Sequence, residues 1–437
     1  MRVSRRNTKK KAYDSSFYYT EAAMASIPAR PALAGSVETE VCIIGGGLAG
    51  LCTALSLTER GRSVAVIEKN RIGWGASGRN GGMVSIGFSA FYDSIIRKVG
   101  IEHTRNLYAL ANDGMRRIKS RIKTHNIDCG PVTDGVLETS WFEDPIEMKD
   151  YVQLLNDQCS STAEYWSRKK VQKHYSTDCY HDAAFIPEGF HINPLRYLHG
   201  IATTVEKQGG RIFENTEVIE IIRLGGGNHF MVKTPCGHIV ARKVVIACGA
   251  YIESSLNHDV AASNIPIRGY LMVTEPLPKD KIESAIRAPY AVYDNRHVCS
   301  YFRPLADGRI LWGAKSGFFR DPQDLEQILL DDMLTIFPQL EGAKVAHAWS
   351  GMMGYSSHGM PQIGEIEPGL WYNAGHGCSG LTVTSMAGEL IGRAIAENDL
   401  AYRALAPFGL THTGGALGKL GAMLVYSSFI VRDKLAV

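Results

Sequence analysis

Four residues in the first part of the chain have the types and spacing needed to bind the phosphates and ribose of a dinucleotide. Gly45, Gly47 and Gly50 follow an apolar run in G-x-G-x-x-G order, and Glu68 ends a second apolar run. The first glycine permits a tight turn, the second lets a pyrophosphate approach the backbone, and the third lets a helix pack closely on a strand. N–H groups at the start of that helix bind phosphate, and the glutamate accepts hydrogen bonds from ribose. The spacing therefore predicts a bound adenine dinucleotide.

The residues between these positions predict the elements that hold them in place. Val41–Ile44 and Val64–Ile67 are short apolar runs typical of buried strands, and residues 48–55 repeat apolar side chains with helical spacing. Gly61 stands where the helix should end. Because the chain holds 45 glycines, the alternative is a glycine-rich turn in an ordinary α/β protein. That alternative does not explain Glu68, so the complete unit favours the dinucleotide.

A second glycine-rich segment follows the second predicted strand directly. Residues 71–88 contain six glycines, and this density indicates backbone held close to a ligand. Arg79 and Asn80 are the polar residues here that are best placed to touch that ligand. A surface ion pair is the alternative for Arg79, but its position among glycines favours ligand contact.

Length and composition limit the class of protein. A chain of 437 residues is too long for one compact core, so two domains are expected. Apolar residues make up 45% and charged residues 21%, as in globular proteins that fold in water. A net charge of +3 gives no reason to expect a nucleic-acid partner. No Cys/His cluster has metal-binding spacing, so no metal site is predicted.

The cysteines and the chain ends bear on location. The nine cysteines are odd in number and several lie in apolar segments, which fits reduced thiols in the cytoplasm. The basic start MRVSRRNTKKK is not followed by an apolar run, which favours a solvated tail over an export signal. No stretch has the length and hydropathy of a transmembrane segment. Residues 417–435 predict an amphipathic helix docked on the protein itself, with peripheral membrane contact as the alternative.

The rest of the chain predicts helices first and strands later. Residues 90–178 are expected to be largely helical, and Asn193 with Pro194 has the form of an N-cap followed by the first helical residue. Residues 211–251 alternate like a strand followed by a meander. Further strands are expected at 267–275, 291–302, 309–313 and 371–374, and helices at 324–337 and from 381 to about 398.

Four segments carry a resemblance to a known family. CIIGGGLAGLCTAL with Glu68 is shared by many flavoproteins, whereas GWGASGRNGG at 73–82 is typical of a much smaller group of them. The other two are YFRPLADGRILWGAK at 301–315 with IFPQL at 336–340, and YNAGHGCSGLTVTSMAGELI at 372–391. The chain resembles the FAD-dependent amine and amino-acid oxidoreductases related to D-amino-acid oxidase, glycine oxidase and sarcosine oxidase. Within that group it is most similar to the gamma-glutamylputrescine oxidoreductases of polyamine breakdown.

The resemblance implies an α/β (α+β) fold. In this fold, the glutathione reductase-2 type of flavoprotein fold, a Rossmann-like FAD-binding domain is interleaved with a mixed-sheet substrate domain. FAD is expected to be non-covalent, because residues 351–355 hold no cysteine for attachment, with Cys299 and Cys378 as remaining candidates. The implied divisions are an N-terminal arm (1–37), FAD-binding segments (38–90, 188–258 and 348–402), substrate-domain segments (91–187 and 259–347) and a C-terminal helical tail (403–437).

The resemblance also implies how FAD lies. The adenosine is expected at 45–68 with its adenine end near Val218, and residues 75–79 along the ribityl chain and isoalloxazine. The start of the last helix would face the flavin pyrimidine edge, where a helix N-terminus stabilises negative charge; a simple turn is the alternative for these glycines. The implied contacts are Gly45, Gly47, Leu48, Ala49, Gly50, Glu68, Lys69, Gly75, Ala76, Ser77, Gly78, Arg79, Asn80, Gly81, Val218, Ala247, Gly249, Gly377, Ser379, Gly380, Leu381 and Thr382.

The implied reaction is hydride transfer from the carbon next to an amine nitrogen to flavin N5, followed by hydrolysis of the imine. A neutral amine needs no obligate protein base, so no catalytic triad is expected. Tyr301 and Arg303 share one face of a strand, with Phe302 on the other. Structural roles are equal alternatives for two histidines, His376 and His191. The residues expected to act on the substrate are Arg79, Tyr301, Arg303 and His376.

An aromatic and thioether cluster precedes the last predicted strand. It is either ordinary core or an apolar cage for the chain of an alkyl amine, and the sequence favours neither. Its members are Trp349, Met352, Met353, Tyr355 and His358.

Two departures from the family pattern bear on substrate and electron acceptor. Thr382 stands where sarcosine-type enzymes hold a substrate carboxylate with lysine, and this favours gamma-glutamylputrescine or a related polyamine derivative over a simple α-amino acid. Leu311 stands near a lysine that those enzymes use for oxygen activation, so the electron acceptor is either oxygen or another molecule. The alternatives are oxidation of an N-methyl or cyclic amino acid, and a flavin-binding assembly protein without turnover.

Overall fold

Two β-sheets organise the chain. The computed structural model describes residues 16–20, 24, 27–226 and 229–435. The first sheet has eight strands and the second has nine. The strands are β1 Gly35–Ile44, β2 Val64–Ile67, β3 Met83–Val84, β4 Thr133–Thr139, β5 Glu164–Trp166, β6 Ala183–His191, β7 Arg211–Phe213, β8 Glu220–Arg223, β9 Phe230–Thr234, β10 Gly237–Ile246, β11 Ile265–Thr274, β12 Ala291–Asp294, β13 Ser300–Pro304, β14 Ile310–Gly317, β15 Val345–Tyr355, β16 Gln362–Glu367 and β17 Leu370–Ala374.

Helices connect and cover the strands. The Asn193 side chain accepts hydrogen bonds from the N–H groups of Leu195 and Arg196, with Pro194 as first helical residue, so the predicted helix start is confirmed. The helices are α1 Phe17–Thr20, α2 Leu48–Thr58, α3 Tyr92–Val99, α4 Ile101–Thr124, α5 Pro145–Gln158, α6 Arg168–His174, α7 Pro194–Lys207, α8 His258–Ala262, α9 Lys279–Ala285, α10 Leu325–Ile336, α11 Gly380–Glu397 and α12 Gly415–Leu435.

The first sheet is the dinucleotide-binding layer. Its strand order is β16-β17-β10-β1-β2-β7, and the pairs from β17 through β7 are parallel. Strands β8 and β9 continue from β10 as an antiparallel extension. Val41–Ile44 and Val64–Ile67 are buried, as expected for parallel strands covered on both faces. Helix α2 packs against both α7 and α11.

The second sheet is mixed and forms the substrate layer. Its order is β15-β11-β14-β13-β12-β4-β6-β3, with β5 on the side of β6. The β12–β4 pair is parallel, and the other pairs are antiparallel. Phe302 and Trp312 stack at 4.9 Å between ring centroids, and Phe337 packs edge-on against both. The mixed sheet beside a Rossmann-like sheet confirms the expected fold class.

The structure differs from the expected secondary structure in two stretches. Residues 90–178 contain strands β4 and β5 in addition to four helices. Strands β15 and β16 occupy residues for which no strand was expected, and the end of the expected meander is one long strand, β10. The alternation in β4 is weak because its sequence, TDGVLET, is interrupted by glycine and flanked by polar residues.

The sheets also shift the expected division of the chain. β1 begins at Gly35 rather than after residue 37, and residues 188–191 and 348–355 lie in the substrate sheet rather than in the FAD-binding layer. Phe17 and Tyr18 are buried against Trp349, so this part of the N-terminal arm packs on the substrate sheet instead of the dinucleotide layer. The basic tail lies outside the described residues.

Candidate functional site

Both sheets line one continuous cavity of about 1830 Å³. The cavity wall includes Arg79, Tyr301 and His376 among the residues predicted to act on the substrate. All the predicted FAD contacts line it except Gly50 and Gly78, whose positions serve close packing. Most of the predicted site residues therefore lie around one cavity, although the prediction did not include the whole of its wall.

The turn after β1 has the shape that the glycine spacing requires. Gly45 has a φ angle of +115°, and a Cβ atom there would lie 2.4 Å from the Ala247 carbonyl oxygen. A Cβ atom on Gly50 would lie 1.9 Å from the Gly45 carbonyl oxygen, so helix α2 can begin this close only with glycine. Gly47 faces Ser77, whose hydroxyl oxygen is 2.9 Å from where its Cβ would be.

Ser77 joins the two glycine-rich segments at the start of helix α2. Its Oγ accepts a hydrogen bond from the Leu48 N–H at 2.9 Å. The N-cap residue Gly47 has no side chain to serve that helix end. A pyrophosphate at this position would meet backbone N–H groups, the positive end of the helix dipole and the Ser77 hydroxyl.

The carboxylate of Glu68 is placed to accept hydrogen bonds from hydroxyl groups. Its Oε2 accepts the Gly46 N–H and its Oε1 the Asn70 N–H, each at 2.8 Å. Burial raises the pKa of this carboxyl, while both backbone donors favour its charged form. Each oxygen keeps a second lone pair for a ribose hydroxyl.

Lys69 lies beyond Glu68 and forms ion pairs with Glu217 at 2.5 Å and Glu253 at 2.7 Å. These three side chains line the same end of the cavity as Val218 and Gly249. Two acidic side chains, Glu217 and Glu253, therefore border the predicted adenine end of the site together with Lys69.

The second glycine-rich segment is held by its own polar side chains. Arg79 is buried and donates through Nε to the Trp74 carbonyl at 2.8 Å and through Nη1 to the Ser350 carbonyl at 3.3 Å. This burial is incompatible with a surface ion pair. Asn80 donates to the Ser77 carbonyl at 2.8 Å and accepts from the Gly82 N–H at 2.9 Å. Both side chains fix the loop, and both also line the cavity.

The structure does not place Arg303 in the cavity wall. Its guanidinium lies behind the glycine-rich segment and donates to the Gly81 carbonyl at 2.7 Å, to His191 Nδ1 at 3.1 Å and to the Tyr18 hydroxyl at 3.3 Å. Arg303 is 4% exposed. The shared face of Tyr301 and Arg303 is correct, since both approach Gly81, but Arg303 positions the loop rather than the substrate.

His191 helps to hold the Arg303 side chain that supports the glycine-rich segment. Its Nε2–H donates to the Pro289 carbonyl at 2.9 Å while Nδ1 accepts from Arg303, an arrangement that requires a neutral ring. Burial, together with the Arg303 charge, lowers the pKa of His191 to about 3. Of the two alternatives for His191, this geometry favours the structural one.

Tyr301 lies in a row of side chains that crosses the substrate sheet. Glu138, Tyr293, Tyr301 and Gly313 are directly opposite one another on β4, β12, β13 and β14. A Cβ atom on Gly313 would lie 2.1 Å from Tyr301 Cζ, so glycine creates the room for the ring. Burial raises the pKa of Tyr301, and its phenol is neutral at physiological pH.

His376 is neutral and held in one tautomer. The Asn373 amide donates to the Ala49 carbonyl at 3.3 Å and to Thr53 Oγ1 at 3.2 Å, so its oxygen accepts from His376 Nε2 at 2.7 Å. Nε2 therefore carries the proton and Nδ1 is left as an acceptor. Burial lowers the pKa of His376 to about 4.

The start of α11 opens onto the cavity. Gly377 has a φ angle of +61°, and Ser379 at the N-cap makes no side-chain capping bond. The Thr382 hydroxyl donates to the Ser85 carbonyl at 2.8 Å. This helix end can offer backbone donors to an anionic group, beyond what a simple turn would provide.

The aromatic and thioether cluster divides between the two predicted roles. Trp349 is buried in the core and donates through Nε1 to the Arg79 carbonyl at 2.8 Å. The other four side chains line the cavity: Met352, Met353, Tyr355 and His358.

Several wall residues were not identified from the sequence. Glu138 accepts hydrogen bonds from the Tyr151 hydroxyl at 2.7 Å and the Tyr293 hydroxyl at 2.9 Å. Lys315 lines the cavity at an irregularity in the β11–β14 pairing and has a φ angle of +58°. Leu311 is buried and does not line the cavity. The positive φ of Lys315 leaves no signal in a single sequence, so its place in the wall could not be predicted.

Helix α12 contacts the substrate sheet through hydrogen bonds, although none of its residues is buried. The Tyr426 hydroxyl accepts the Ser316 N–H at 2.7 Å, and the Asp433 carboxylate accepts the N–H groups of His297 and Val298 at 3.1 and 2.9 Å. Tyr426 also lines the cavity. Among the described residues, every helix is too short or too polar to serve as a membrane span.

The residues of the cavity fit FAD. The glycine cradle with Ser77 and Glu68 matches the pyrophosphate and ribose, and the open start of α11 matches a flavin that gains negative charge on reduction. Within residues 27–226 and 229–435, no His, Cys, Asp and Glu side chains cluster in a way that could hold a metal ion. All nine cysteines are free thiols.

Comparisons with known proteins agree with this geometry. Residues 40–394 match the family model described as FAD dependent oxidoreductase. A gamma-glutamylputrescine oxidoreductase from Escherichia coli is 31% identical, covering 82% of this chain and 83% of its own. A probable oxidoreductase OrdL from Haemophilus influenzae is also 31% identical, covering 84% and 85%.

Solved structures show the same fold. A glycine oxidase from Geobacillus kaustophilus superposes with a TM-score of 0.68 at 23% identity, covering 87% of this chain and 100% of its own. An L-proline dehydrogenase from P. horikoshii gives a TM-score of 0.70 at 19% identity, covering 86% and 100%. The chain therefore belongs to the family of FAD-dependent oxidoreductases that includes glycine oxidase.

Proposed function

We propose that this FAD enzyme oxidises an amine at the carbon next to nitrogen, and that its substrate is gamma-glutamylputrescine or a related polyamine derivative. The observation that supports this most is Thr382 at the open start of α11. Its hydroxyl donates a hydrogen bond to the Ser85 carbonyl at 2.8 Å. Because this hydroxyl is neutral, it offers no positive charge to a substrate carboxylate. The 31% identity to a gamma-glutamylputrescine oxidoreductase supports the same class.

The chain's own residues would bind and orient the reactants. When bound, the flavin supplies the acceptor for the hydride that leaves the amine carbon. Leu48, Ser77 and Glu68 would hold the cofactor by its pyrophosphate and ribose. The N–H groups at the start of α11 would stabilise negative charge on the reduced ring.

Two of the proposed substrate contacts, Tyr301 and His376, are neutral. The phenol of Tyr301 and the imidazole of His376 can form hydrogen bonds without adding charge. With a pKa of about 4, His376 is too weak a base to take a proton from an alkyl ammonium. The amine would therefore react in its neutral form after losing its proton to water. Met352, Met353 and Tyr355 would pack along the alkyl chain.

Oxidation of an N-methyl or cyclic amino acid is the second candidate. Lys315 favours it, because this cation lines the cavity and could pair with a substrate carboxylate. We also propose a reducing cytoplasm, which the nine free thiols support. Oxygen and another electron acceptor both remain candidates for reoxidation.

Anaerobic flavin bleaching tests the proposed function. The purified holoenzyme is mixed with putrescine, gamma-glutamylputrescine, sarcosine and proline in separate cuvettes, and flavin absorbance is followed. Bleaching by gamma-glutamylputrescine at least tenfold faster than by sarcosine or proline is the expected result. Bleaching by sarcosine or proline alone would refute the amine assignment and favour the second candidate.

A further inference from the structure

A carboxylate with no role in the proposed chemistry lies in the cavity wall. Glu138 is on strand β4, and the exposed part of its side chain faces the cavity. Its Oε2 accepts the hydroxyl groups of both Tyr151 and Tyr293. Among the described residues, no donor reaches Oε1, and no lysine, arginine or histidine forms an ion pair with this carboxylate.

An acid in this state needs a partner. Burial raises the pKa of Glu138, the phenol groups of Tyr151 and Tyr293 act in the opposite direction, and the Asp294 charge raises it further. A carboxylate enclosed by protein without a cation is costly, so it either takes a proton or receives a positive ligand. The two fixed phenol donors offset part of the cost of the charged form, and because both bind Oε2, Oε1 is left for a ligand.

The surroundings of Glu138 suit an ammonium group. Tyr108 lies near Glu138. Burial is the main cause that raises the pKa of Tyr108, and the charge of Glu138 contributes in the same direction. The Tyr108 ring packs against Phe88 at 5.3 Å and Tyr92 at 5.5 Å between centroids. All three rings line the cavity. Aromatic faces around a carboxylate attract alkyl ammonium ions through both charge and ring quadrupoles.

The sheet register fixes how far this acid lies from the reacting end. Glu138 is opposite Tyr293, and Tyr293 is opposite Tyr301, on successive strands. Strands two apart are separated by roughly 10 Å. Tyr301 approaches Gly81, one of the predicted FAD contacts, which follows closely on the segment 75–79 where the flavin ring is expected. A substrate that reacts near Tyr301 would therefore reach Glu138 only with its far end.

We propose that Glu138, held by Tyr151 and Tyr293, is a subsite for the non-reacting ammonium group of a substrate with two amino groups. This inference rests on the proposed function, because it assumes that one amine reacts at the flavin. The reacting amine loses its proton, whereas the second group keeps its charge and needs an anionic partner. The α-ammonium of a glutamyl group and the distal ammonium of a polyamine both provide this chemistry.

Binding of ligands that cannot be oxidised tests the subsite independently of turnover. The diammonium probe is putrescine carrying two methyl groups on each carbon next to nitrogen, and the monoammonium probe is the matching alkyl monoamine. Titrations of the FAD holoenzyme, followed by flavin absorbance, give Kd for each probe. In Glu138→Gln, we expect the Kd of the diammonium probe to rise about 10- to 100-fold, the worth of one charge-assisted hydrogen bond, with the monoammonium Kd unchanged.

Control variants keep the test specific. Asp134→Asn removes a carboxylate from the same strand, but Asp134 is exposed and pairs with Lys119 at 2.7 Å, so both Kd values should stay at the wild-type level. Tyr151→Phe keeps the ring and removes one donor to Glu138, so we expect a smaller loss for the diammonium probe alone. Flavin absorbance and the urea midpoint of each variant verify that it is folded.

The outcomes separate the possibilities. Equal weakening of both probes would overturn the proposal, because Glu138 would then act on the reacting amine. No weakening of either would also overturn it, because Glu138 would then hold a proton. N-acetylation of the glutamyl amine identifies the source: a higher KM in wild type but not in Glu138→Gln assigns the ammonium to that group. Failure of every amine to bleach the flavin would refute the proposed function and leave the Kd comparison valid.

Discussion

Replacing Gly313 with alanine is expected to displace the Tyr301 ring from the cavity wall. The added Cβ atom would lie 2.1 Å from Tyr301 Cζ and 2.5 Å from the phenol oxygen. Carbon atoms in contact are separated by about 3.5–4.0 Å, so the ring would have to move by roughly 1.5 Å. The ring also lies close to the Gly81 backbone, since a Cβ atom added there would be 3.1 Å from Tyr301 Cε2.

The size of the effect follows from overpacking. Inserting a methyl group into a packed interior costs about 1–3 kcal/mol when neighbours are forced from their positions. Removing the ring with Tyr301→Ala creates space for the methyl group. The double variant should therefore lose less stability than the sum of the two single variants, with a coupling of about 1–2 kcal/mol.

Urea unfolding of the four proteins at one fixed FAD concentration measures this coupling. Anaerobic flavin reduction by substrate should slow in Gly313→Ala, because the displaced phenol narrows the cavity. Gly225→Ala is the matched control, since a Cβ atom there meets nothing within 4 Å. A coupling below about 0.3 kcal/mol, within the error of additivity, would refute the steric reasoning.

Three further predictions address the cofactor, the loop support and acid stability. Ser77→Ala should weaken FAD binding about 5- to 15-fold in fluorescence titrations, because a hydroxyl partner of the pyrophosphate is lost; an unchanged Kd would exclude that contact. Arg303→Met should lower the free energy of unfolding by about 3 kcal/mol, since several buried acceptors lose their donor; Arg303→Lys should recover part of this loss in urea titrations, and equal losses would contradict the hydrogen-bond explanation. Burial is the main cause that lowers the pKa of both His191 and His199 to about 3. The unfolded chain therefore binds protons below about pH 6.5 while the native state does not, so stability should fall by up to about 1.4 kcal/mol per histidine per pH unit between pH 6.5 and pH 3. Urea unfolding at pH 7 and pH 5 measures this slope, and His199→Gln should reduce it; an unchanged slope would contradict the assignment.

The dinucleotide turn could be predicted because most of the contacts that shape it join residues close to one another in the sequence. Gly50 contacts the Gly45 carbonyl only five positions back, and the helix start of α7 depends on Asn193 and its next neighbours. Apolar periodicity placed β1, β2 and α2 for the same reason. The family resemblance then extended this local information to the remainder of the FAD site.

The substrate end could not be predicted because its contacts are distant in the chain. Glu138 meets Tyr293, which is 155 positions away, and Arg303 meets Gly81 and Tyr18 at separations of 222 and 285. Strand alternation correctly predicted that Tyr301 and Arg303 share one face of a strand, but it cannot tell which of the two side chains lines a cavity. Glu138 was further obscured because β4 lies in a stretch whose pattern favoured helices.

The order β17-β10-β1-β2 in the first sheet has a consequence for biosynthesis. A ribosome releases β1 and β2 early, but β10 begins 170 residues after the end of β2, and β17 begins 124 residues after the end of β10. Until then, the nascent chain carries a nucleotide turn whose neighbouring strand edge has no partner. Because the cavity also needs Leu381 and Thr382, we expect the complete FAD site to form only after most of the chain has been synthesised.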